Sequence, residues 1–451
     1  MKIIIVGAGQ VGSSLSLNLV KEGNDVTLID KSADLLDNIA DKVDLQTIHG
    51  NGAHPRILEA AGAHKADMIV AVSKSDETNM IACQVAYTVF GVSKKIARIR
   101  DLEYLNYESL FADESTPIDF TISPDLIVSS YIKKLILFKG THQVFNFSDP
   151  SDCLINIIYN ASEDLEDSIK YYKTICEKFN SKLCAFIRQD QIFSIEEDND
   201  KDDILQNGDE LLFMCKEEHI KDITKVFKNN KINKRIMIAG GGNVGKHLSE
   251  SISNNYQVKV IESNEERANH LSEVVDDVTV INADSSNEDI LLEENIEHMD
   301  VFCALTNDDE ANILSAMLAK KLGAKTVISI INKISYSDLV EKQEIDITIS
   351  PQDLTMGALL THVRKGSILK AHSLMRGLLE LLELEVRDTE KTKVLGKHIE
   401  QINLSENTII CCIIRNNNFI FDTSNTLLEQ DDHLVCLVNK KDVKQIEDLF
   451  E

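Results

Sequence analysis

The sequence predicts an α/β protein with two doubly wound parallel sheets, each followed by a small α+β domain. Three observations predict this fold. A short apolar strand runs into a glycine-rich turn at residues 3–12, the same strand and turn recur at residues 236–245, and alternating strand and helix patterns follow both. The duplication carries more weight than either turn, because single glycine triplets also occur in unrelated loops.

The first glycine turn is typical of a Rossmann-like, dinucleotide-binding fold. Ile3–Val6 predicts a buried parallel strand, and Gly7, Gly9 and Gly12 follow it in the fingerprint spacing. Gly7 permits a tight turn, Gly9 leaves room for a pyrophosphate, and Gly12 lets the next helix pack close to the strand. The free N–H groups at the start of that helix would then face the phosphates.

Three later strand ends supply further candidate contacts. Asp25–Ile29 predicts the second strand, and Asp30 at its end can accept hydrogen bonds from ribose hydroxyls. Asn51 follows the third strand, where it either contacts an adenine or simply supports a turn. Ser73 follows the fourth strand, at the sheet edge where ligands bind. We interpret Asp76 as the cap of the next helix.

Two arginines end the last of the five strands that we expect in the first sheet. Arg98 and Arg100 are two residues apart, so both lie on one face of a strand over residues 96–100. Guanidinium groups beside a phosphate-binding turn suit a polyphosphate. Surface ion pairing is the alternative interpretation.

The second copy repeats these features with several exchanges. Its glycines and its acidic strand end are Gly240, Gly242, Gly245 and Glu262. Asp284 stands where the first copy has Asn51, and the strand over residues 326–331 carries no arginine. The alternative to a second nucleotide site is a Rossmann-like fold that has lost its ligand.

Crossover helices and small domains complete each half of the predicted chain. A Ser-Pro pair begins each amphipathic crossover helix, whose apolar face has no evident place in a single core. We expect these faces to pack on the other copy or on a partner chain, and to hold together a multimer of the protein. In the second small domain we predict a strand at 395–399 and interpret His433 as a turn residue. The predicted domain limits are 1–123, 124–142, 143–230, 231–349, 350–371 and 372–451.

The composition argues against several classes of function. A net charge of −27 disfavours a nucleic-acid partner. The nine cysteines lack zinc or CxxC spacing, so we expect buried free thiols, a reducing compartment and no metal site. The first strand leaves no room for a signal peptide, and no apolar run approaches the roughly 20 residues that span a bilayer. We therefore expect a cytoplasmic protein.

The motifs together resemble the TrkA family, the peripheral nucleotide-binding subunits of bacterial Trk potassium uptake systems. The resemblance rests on residues 2–12, 76–87, 97–100 and 307–312 and covers essentially the whole chain. It implies tandem RCK (regulator of potassium conductance) units in a homo-oligomeric ring, placed at the inner face of the cell membrane by a Trk-type potassium-transporting subunit. It also implies that NAD or NADH and ATP or ADP bind, and that their exchange gates ion flow.

The resemblance also assigns binding residues in both copies, including Lys74 beside the nucleotide. The candidate binding residues of the first copy are Gly7, Ala8, Gly9, Gln10, Val11, Gly12, Asp30, Asn51, Ser73, Lys74, Arg98 and Arg100. Those of the second copy are Gly240, Gly241, Gly242, Asn243, Val244, Gly245, Glu262, Asp284 and Thr306. Because the second copy lacks the arginines, we expect ATP to bind the first copy better.

Two other functions are compatible with these motifs. An NAD-dependent oxidoreductase would need a general acid or base near the nicotinamide. The sequence shows no paired His/Asp, Lys/Tyr or metal cluster beside either turn. A nucleotide-responsive scaffold without a membrane partner is the other alternative. The motifs favour a regulatory subunit that is not an enzyme and has no catalytic residues.

Overall fold

The computed structural model describes residues 1–161, 166–189, 191–195, 204–227, 233–333, 336, 344–364, 367–389, 392–405 and 408–450. The chain divides into two compact units. The first unit contains Met1–Ile127 and Gln352–Val363, and the second contains Val128–Pro351 and Arg364–Glu451. The predicted domain limit at residues 230 and 231 lies outside the described residues.

The first unit is built on a six-stranded parallel sheet. Its strands are β1 (Lys2–Val6), β2 (Asp25–Asp30), β3 (Gln46–His49), β4 (Met68–Ala71), β5 (Lys94–Arg98) and β6 (Phe120–Ile122). Its helices are α1 (Gln10–Lys21), α2 (Ala33–Ala40), α3 (Pro55–Ala60), α4 (Asp76–Phe90) and α5 (Leu102–Leu105). The order β3-β2-β1-β4-β5-β6 is that of a doubly wound dinucleotide-binding sheet, whose ligands bind where the order reverses beside β1.

Alternation along β1 explains why its sequence is apolar at every position after Lys2. Ile3 and Ile5 belong to one buried cluster, whereas Ile4 and Val6 belong to another. Successive side chains point to opposite faces of a strand, and helices cover both faces of a parallel sheet. The core of this unit therefore consists of two layers, one on each side of the sheet.

The second unit begins within the crossover helix and continues into a small antiparallel sheet. The helix is α6 (Pro124–Leu137). The strands of this sheet are β7 (Gln143–Asn146), β8 (Asp152–Ile158), β9 (Lys182–Arg188), β10 (Gln191–Ser194) and β11 (Glu210–Lys216), in the order β10-β9-β11-β8-β7. Two helices accompany the sheet, α7 (Ile169–Lys178) and α8 (Ile220–Val226).

A second parallel sheet follows with the topology of the first. Its strands are β12 (Arg235–Ala239), β13 (Gln257–Glu262), β14 (Val278–Asn282), β15 (Val301–Ala304), β16 (Thr326–Ile330) and β17 (Ile347–Ile349), in the order β14-β13-β12-β15-β16-β17. Its helices are α9 (Asn243–Ile252), α10 (Glu265–Val274), α11 (Glu288–Glu293) and α12 (Asp309–Lys321). The predicted pair of doubly wound sheets is confirmed.

Each parallel sheet has one strand more than predicted. β6 pairs with β5 and β17 pairs with β16, both in parallel. Each of these strands has only three residues, too few for the sequence to show an alternating or continuous apolar pattern. The prediction of five strands was therefore wrong by one in both copies.

The last part of the chain forms helix α13 (Pro351–Val363), a second antiparallel sheet and helix α14 (Val443–Phe450). The strands are β18 (Ile368–Leu374), β19 (Leu379–Glu385), β20 (Ile409–Arg415), β21 (Asn418–Ile420) and β22 (His433–Asn439), in the order β18-β19-β22-β20-β21. The crossover segment that we predicted to reach residue 371 thus ends as a helix at Val363, because residues 368–374 form the first strand of the sheet.

Two predictions for the last domain were wrong. Residues 395–398 are not a strand, and Ile399–Gln401 forms a short 3₁₀ helix. His433 is the first residue of β22 rather than part of a turn, and its Nδ1 lies 2.8 Å from Oε1 of the buried Glu383. The partner of His433 is thus 50 residues away in the chain, which is why sequence neighbours did not reveal it.

The two antiparallel sheets share one hydrophobic core. Buried residues from both sheets pack in a single cluster: Phe145, Phe147, Leu154, Cys184, Ala185, Ile187, Leu212, Met214, Leu374, Leu379, Leu381, Ile409, Cys411, Cys412, Ile414, Phe419, Val435 and Leu437. Burial of such apolar faces is the main stabilising contribution to packing between sheets. The three cysteines of this cluster, Cys184, Cys411 and Cys412, are free thiols, as predicted.

Helix α13 packs on the first parallel sheet, although it lies in the second half of the sequence. Leu359 and Val363 are fully buried in the cluster that contains Ile3 and Ile5. The Gln352 amide also donates a hydrogen bond to Ser14 Oγ at 2.6 Å. The expectation that a crossover helix packs on the other copy is confirmed for α13. Because Leu359 and Val363 are covered within the chain, the prediction that they hold a multimer together was wrong.

Candidate functional site

The first glycine turn has the backbone geometry that the spacing predicts. Gly7 has φ of +110°, and a Cβ there would lie 2.8 Å from the Ser73 nitrogen. A Cβ on Gly12 would overlap the Gly7 carbonyl oxygen. A Cβ on Gly9 would meet no protein atom within 4 Å. Gly7 and Gly12 therefore allow close packing, whereas Gly9 borders open space at the start of α1.

Asp30 lies beside this turn at the end of β2. Its Oδ2 accepts a hydrogen bond from the Ala8 N–H at 2.6 Å, and its Oδ1 accepts one from the Ser32 N–H at 2.8 Å. The carboxylate fixes the turn to the start of α2. A carboxylate has about four acceptor positions, and Asp30 is only half-buried, so it retains acceptors for a ribose.

The two arginines at the end of β5 have the clearest unmet bonding capacity at this edge. Arg98 is the last residue of β5 and Arg100 lies two residues beyond it, so the predicted strand over residues 96–100 was two residues too long at this end. Nε of Arg98 and Nε of Arg100 are both buried and have no hydrogen-bond partner among the described residues. Burial lowers the pKa of Arg98, the charge of Arg100 lowers it further, and Asp125 and Asp76 act in the opposite direction. Neither arginine takes part in an ion pair in the described part of the chain, so the surface ion-pair interpretation finds no support. An anion at this position would satisfy both groups.

A buried asparagine connects the ends of β4 and β5. The Asn79 side chain accepts from the Ser73 N–H at 2.9 Å and donates to the Arg98 carbonyl at 2.8 Å. Ser73 Oγ also donates to the Asn79 oxygen at 2.7 Å, so this hydroxyl is already engaged. Asn79 was not among the predicted site residues, although it lies in a motif that occurs in both copies.

Asp76 also positions the backbone, in a way that the sequence did not suggest. Its Oδ2 accepts hydrogen bonds from the N–H groups of Arg100 and Asp101 at 2.8 and 2.9 Å. Ser75, rather than Asp76, caps α4, since its hydroxyl accepts from the Thr78 N–H. The predicted cap was therefore wrong by one residue, and Asp76 holds the segment that carries Arg100.

The other candidate residues of the first copy are Asn51 in the turn after β3, Lys74 after β4, and Gln10 and Val11 at the start of α1. The Asn51 side chain accepts from the Ala53 N–H at 3.2 Å, so it supports the turn after β3. Lys74 and Gln10 are exposed, and Val11 is half-buried in the first turn of α1. No side chain caps the start of α1.

The second copy has the same backbone turn. Gly240 has φ of +110°, a Cβ on Gly245 would overlap the Gly240 carbonyl oxygen, and a Cβ on Gly242 would meet nothing within 4 Å. Asn243 is exposed and Val244 half-buried at the start of α9. The candidate residues of this turn thus take the positions of their counterparts in the first copy.

The carboxylate of Glu262 accepts more hydrogen bonds than that of Asp30. Its Oε2 accepts from the Gly241 N–H at 2.8 Å, and its Oε1 accepts from the Asn264 N–H at 2.8 Å and from the Arg267 guanidinium at 2.9 Å. Burial acts to raise the pKa of Glu262, but these hydrogen bonds outweigh it and hold the pKa below its usual value. The residue is 3% exposed.

The remaining residues of the second edge repeat the first scaffold. Asn312 accepts from the Thr306 N–H at 2.8 Å and donates to the Ile330 carbonyl at 3.0 Å. Asp309 accepts from the N–H groups after β16, as Asp76 does after β5. Asp284 accepts from the Ser286 N–H at 2.9 Å and so supports its turn in the manner of Asn51.

The segment after β16 differs from the arginine segment of the first copy. Lys333 lies there, is exposed, and pairs with Glu310 at 3.2 Å. The Tyr336 hydroxyl and Lys333 both bond Glu310, and they lower the pKa of that carboxylate to about 2. Lys333, the cation of this segment, is therefore engaged in an ion pair on the surface.

No described helix has the length and hydropathy needed to cross a membrane. Within the same residues, no three His, Cys, Asp or Glu side chains are grouped as they would be around a metal ion.

Two Rossmann-like sheets, each with a glycine turn and each followed by a small antiparallel sheet, define a tandem RCK protein. The family model described as the TrkA-N domain matches residues 3–124 and 236–351, and that of the TrkA-C domain matches residues 384–451. The chain belongs to the TrkA family.

Relatives in this family match the chain from end to end. The Trk system potassium uptake protein TrkA of Vibrio alginolyticus is 42% identical over 456 residues, which cover 100% of this chain and 99% of the relative. The proteins of the same description from Halomonas elongata and Haemophilus influenzae are each 39% identical, with the same coverage. The resemblance inferred from the sequence is confirmed.

Two solved structures share the fold across the whole chain. The GsuK RCK domain superimposes with a TM-score of 0.64 at 14% identity and covers 100% of this chain and 94% of its own. The GsuK channel bound to NAD superimposes with a TM-score of 0.64 at 13% identity, covering 99% and 78%. At such low identity the likeness establishes the tandem RCK fold alone.

Proposed function

We propose that this chain is a nucleotide-sensing regulatory subunit of a Trk-type potassium uptake system, and that it is not an enzyme. One observation carries the proposal. The carboxyl edge of the first sheet combines the open space at Gly9, the half-buried carboxylate of Asp30 and two arginine Nε atoms that have no partner among the described residues. This set offers complementary groups for a pyrophosphate, a ribose and a further phosphate.

The proposed ligands are NAD or NADH and ATP or ADP. Gly7 to Gly12 would bind the diphosphate, Asp30 the ribose, and Arg98 and Arg100 the terminal phosphate of ATP. The relatives of known structure include a channel described as bound to NAD and one described as bound to ADP, which supports adenine nucleotides as the class. In the second copy, Gly240 to Gly245 and Glu262 would contact a dinucleotide.

The ligands would regulate transport by binding two states of the assembly with different affinity. Only a difference in affinity can shift a conformational equilibrium, and the coupling is reciprocal. The relatives are named as parts of a Trk potassium uptake system, so we propose a Trk-type membrane subunit as partner and a cytoplasmic position at the inner face of the membrane.

We further propose that the chain forms a homo-oligomeric ring. The outer faces of two equivalent helices support this: Ile81 in α4 is 49% exposed, and Leu314, at the same position of α12, is 57% exposed. A single exposed apolar side chain is ordinary on a protein surface, so the support lies in its recurrence at the equivalent position of both copies. A monodisperse monomer in light scattering at micromolar concentration would contradict this proposal.

The test of the function has two parts. Calorimetric titration of the purified chain with ATP, ADP, NAD and NADH should show saturable binding. Reconstitution with the Trk-type membrane subunit in vesicles should then give a potassium flux that changes with the bound nucleotide. Binding without any change in flux, together with hydride transfer from NADH to a carbonyl substrate, would instead identify an oxidoreductase.

A further inference from the structure

Arg267 has no counterpart of similar charge in the first copy. It is the third residue after the cap of α10, where its N–H donates to Asn264 Oδ1 at 2.9 Å. The equivalent position after the cap of α2 is Leu35, whose N–H donates to Ser32 Oγ. Leu35 is 41% exposed. The same backbone position beside the ribose-binding carboxylate thus carries an apolar side chain in one copy and a cation in the other.

The two carboxylates differ because of this exchange. Asp30 accepts hydrogen bonds from two backbone N–H groups and stays half-buried. Glu262 accepts from two backbone N–H groups and, in addition, from the Arg267 guanidinium at 2.9 Å. Its side chain is 4% exposed, whereas that of Arg267 is 58% exposed. Arg267 therefore lies on the solvent side of the pair and covers the acceptor.

The glycine turn of the second copy accommodates the longer acid. A Cβ on Gly241 would lie 3.2 Å from both Cβ and Oε2 of Glu262, so an alanine there, as at Ala8 of the first copy, would press on the Glu262 side chain. Glu262, which has one methylene more than Asp30, bonds both the turn and Arg267. Glycine, glutamate and arginine thus form one arrangement that the first copy lacks.

We propose that Arg267 is a specificity-determining residue of the second copy, which weakens recognition of the ribose 2′-hydroxyl by covering Glu262. The inference rests on the proposed nucleotide-binding function. A ribose hydroxyl must replace the guanidinium before it can bond the carboxylate, whereas at Asp30 it meets an accessible oxygen. The second copy therefore binds adenosine ligands with less dependence on the 2′-hydroxyl than the first.

The test compares ADP with 2′-deoxy-ADP by calorimetry on the full chain. Gly9→Val is used to close the first site and Gly242→Val to close the second, since a side chain at either glycine enters the open space of its own turn only. In the Gly9→Val background, Arg267→Leu should raise the affinity for ADP about tenfold, the effect of one hydrogen bond to a charged group. The affinity for 2′-deoxy-ADP should stay within about twofold, because the gain comes from the 2′-hydroxyl.

The reciprocal variant tests the same inference without the Gly9 substitution. In the Gly242→Val background, adding Leu35→Arg to Ala8→Gly and Asp30→Glu should lower the affinity for ADP about tenfold, relative to the same chain with Leu35, and leave 2′-deoxy-ADP nearly unchanged. Arg267→Lys retains a cation beside Glu262 and should bind ADP as weakly as the chain with Arg267.

Equal gains for ADP and 2′-deoxy-ADP in Arg267→Leu would show that Arg267 acts on the fold and would overturn the inference. The absence of any change in Arg267→Leu, while the first site binds ADP, would also overturn it. Failure of ADP to bind the first site itself would instead contradict the proposed function.

Discussion

The carboxyl edges of the two parallel sheets share their backbone turns and differ in their charged side chains. Gly7 and Gly240 have the same φ, and Asn79 and Asn312 make equivalent hydrogen bonds. The first edge adds two half-buried arginines whose buried Nε atoms have no partner among the described residues, whereas the corresponding segment of the second edge carries Lys333, which is exposed and paired with Glu310. The residues that position the backbone are thus the same in both copies, while the charged side chains at the candidate sites differ.

The largest effect should follow from closing one turn at a time. Gly9→Val should reduce nucleotide binding at the first site below detection, because the side chain would occupy the space left for a pyrophosphate. The backbone at Gly9 is extended, with φ of −69°, so valine should fit without strain. Calorimetric titration measures the loss, and Gly242→Val is the matched control. Unchanged first-site affinity in Gly9→Val would place the ligand elsewhere.

The arginine difference should appear as a preference for ATP. Arg100→Ala should weaken ATP at the first site about ten- to a hundredfold, corresponding to the roughly 1.5–3 kcal/mol of hydrogen bonds to a charged group. NAD has no terminal phosphate at this position and should lose less. The Lys333→Glu control, in the second copy, should leave first-site binding unchanged. Equal losses of ATP and NAD would show that Arg100 does not contact the terminal phosphate.

The shared scaffold should respond equally in both copies. Asn79→Ala and Asn312→Ala each remove a buried side chain that joins two strand ends, so each should lower the free energy of unfolding by about 1–3 kcal/mol. Chemical denaturation measures both. A loss of stability in only one of the two variants would mean that the asparagines do not contribute equally to their two sheets.

The smallest effect concerns the two antiparallel sheets. His433 and Glu383 take the positions that Glu210 and Asn156 hold in the first of these sheets. The bond to Glu383 raises the pKa of His433 against the effect of burial, with Glu385 and Asp432 adding to the rise. The pair therefore contributes stability that is complete below pH about 6.5 and is lost as the pH rises through the folded-state pKa.

His433→Gln tests this contribution. The variant should be less stable than the parent at pH 6 and should approach it at pH 8, as measured by urea unfolding across this range. The same stability difference at both pH values would mean that the histidine charge makes no contribution.

The sequence predicted the fold class because glycine spacing and apolar runs are local signals. The same signals placed Asp30 and Glu262 beside their turns. Arg98 and Arg100 were also recognised from the sequence. Hydrogen bonds between distant residues were not predictable in this way, since Asp76 accepts from a segment 24 residues further along the chain. Strand β19 was missed because its sequence, Leu379–Glu385, mixes apolar and acidic residues without a strict period. The Glu262–Arg267 bond was within reach of sequence reasoning, since the two residues are five apart.

The packing of α13 against β1 has a consequence for synthesis on the ribosome. Leu359 and Val363 complete a core that begins with Ile3 and Ile5. That core cannot close until translation has passed residue 363, so the nascent first sheet must keep an apolar face uncovered for most of the time that the chain is being made. Such exposure favours aggregation and chaperone binding. A chain cut between its two halves would carry the same uncovered face permanently, so the duplicated halves cannot be separated into two independent proteins without redesign of that surface.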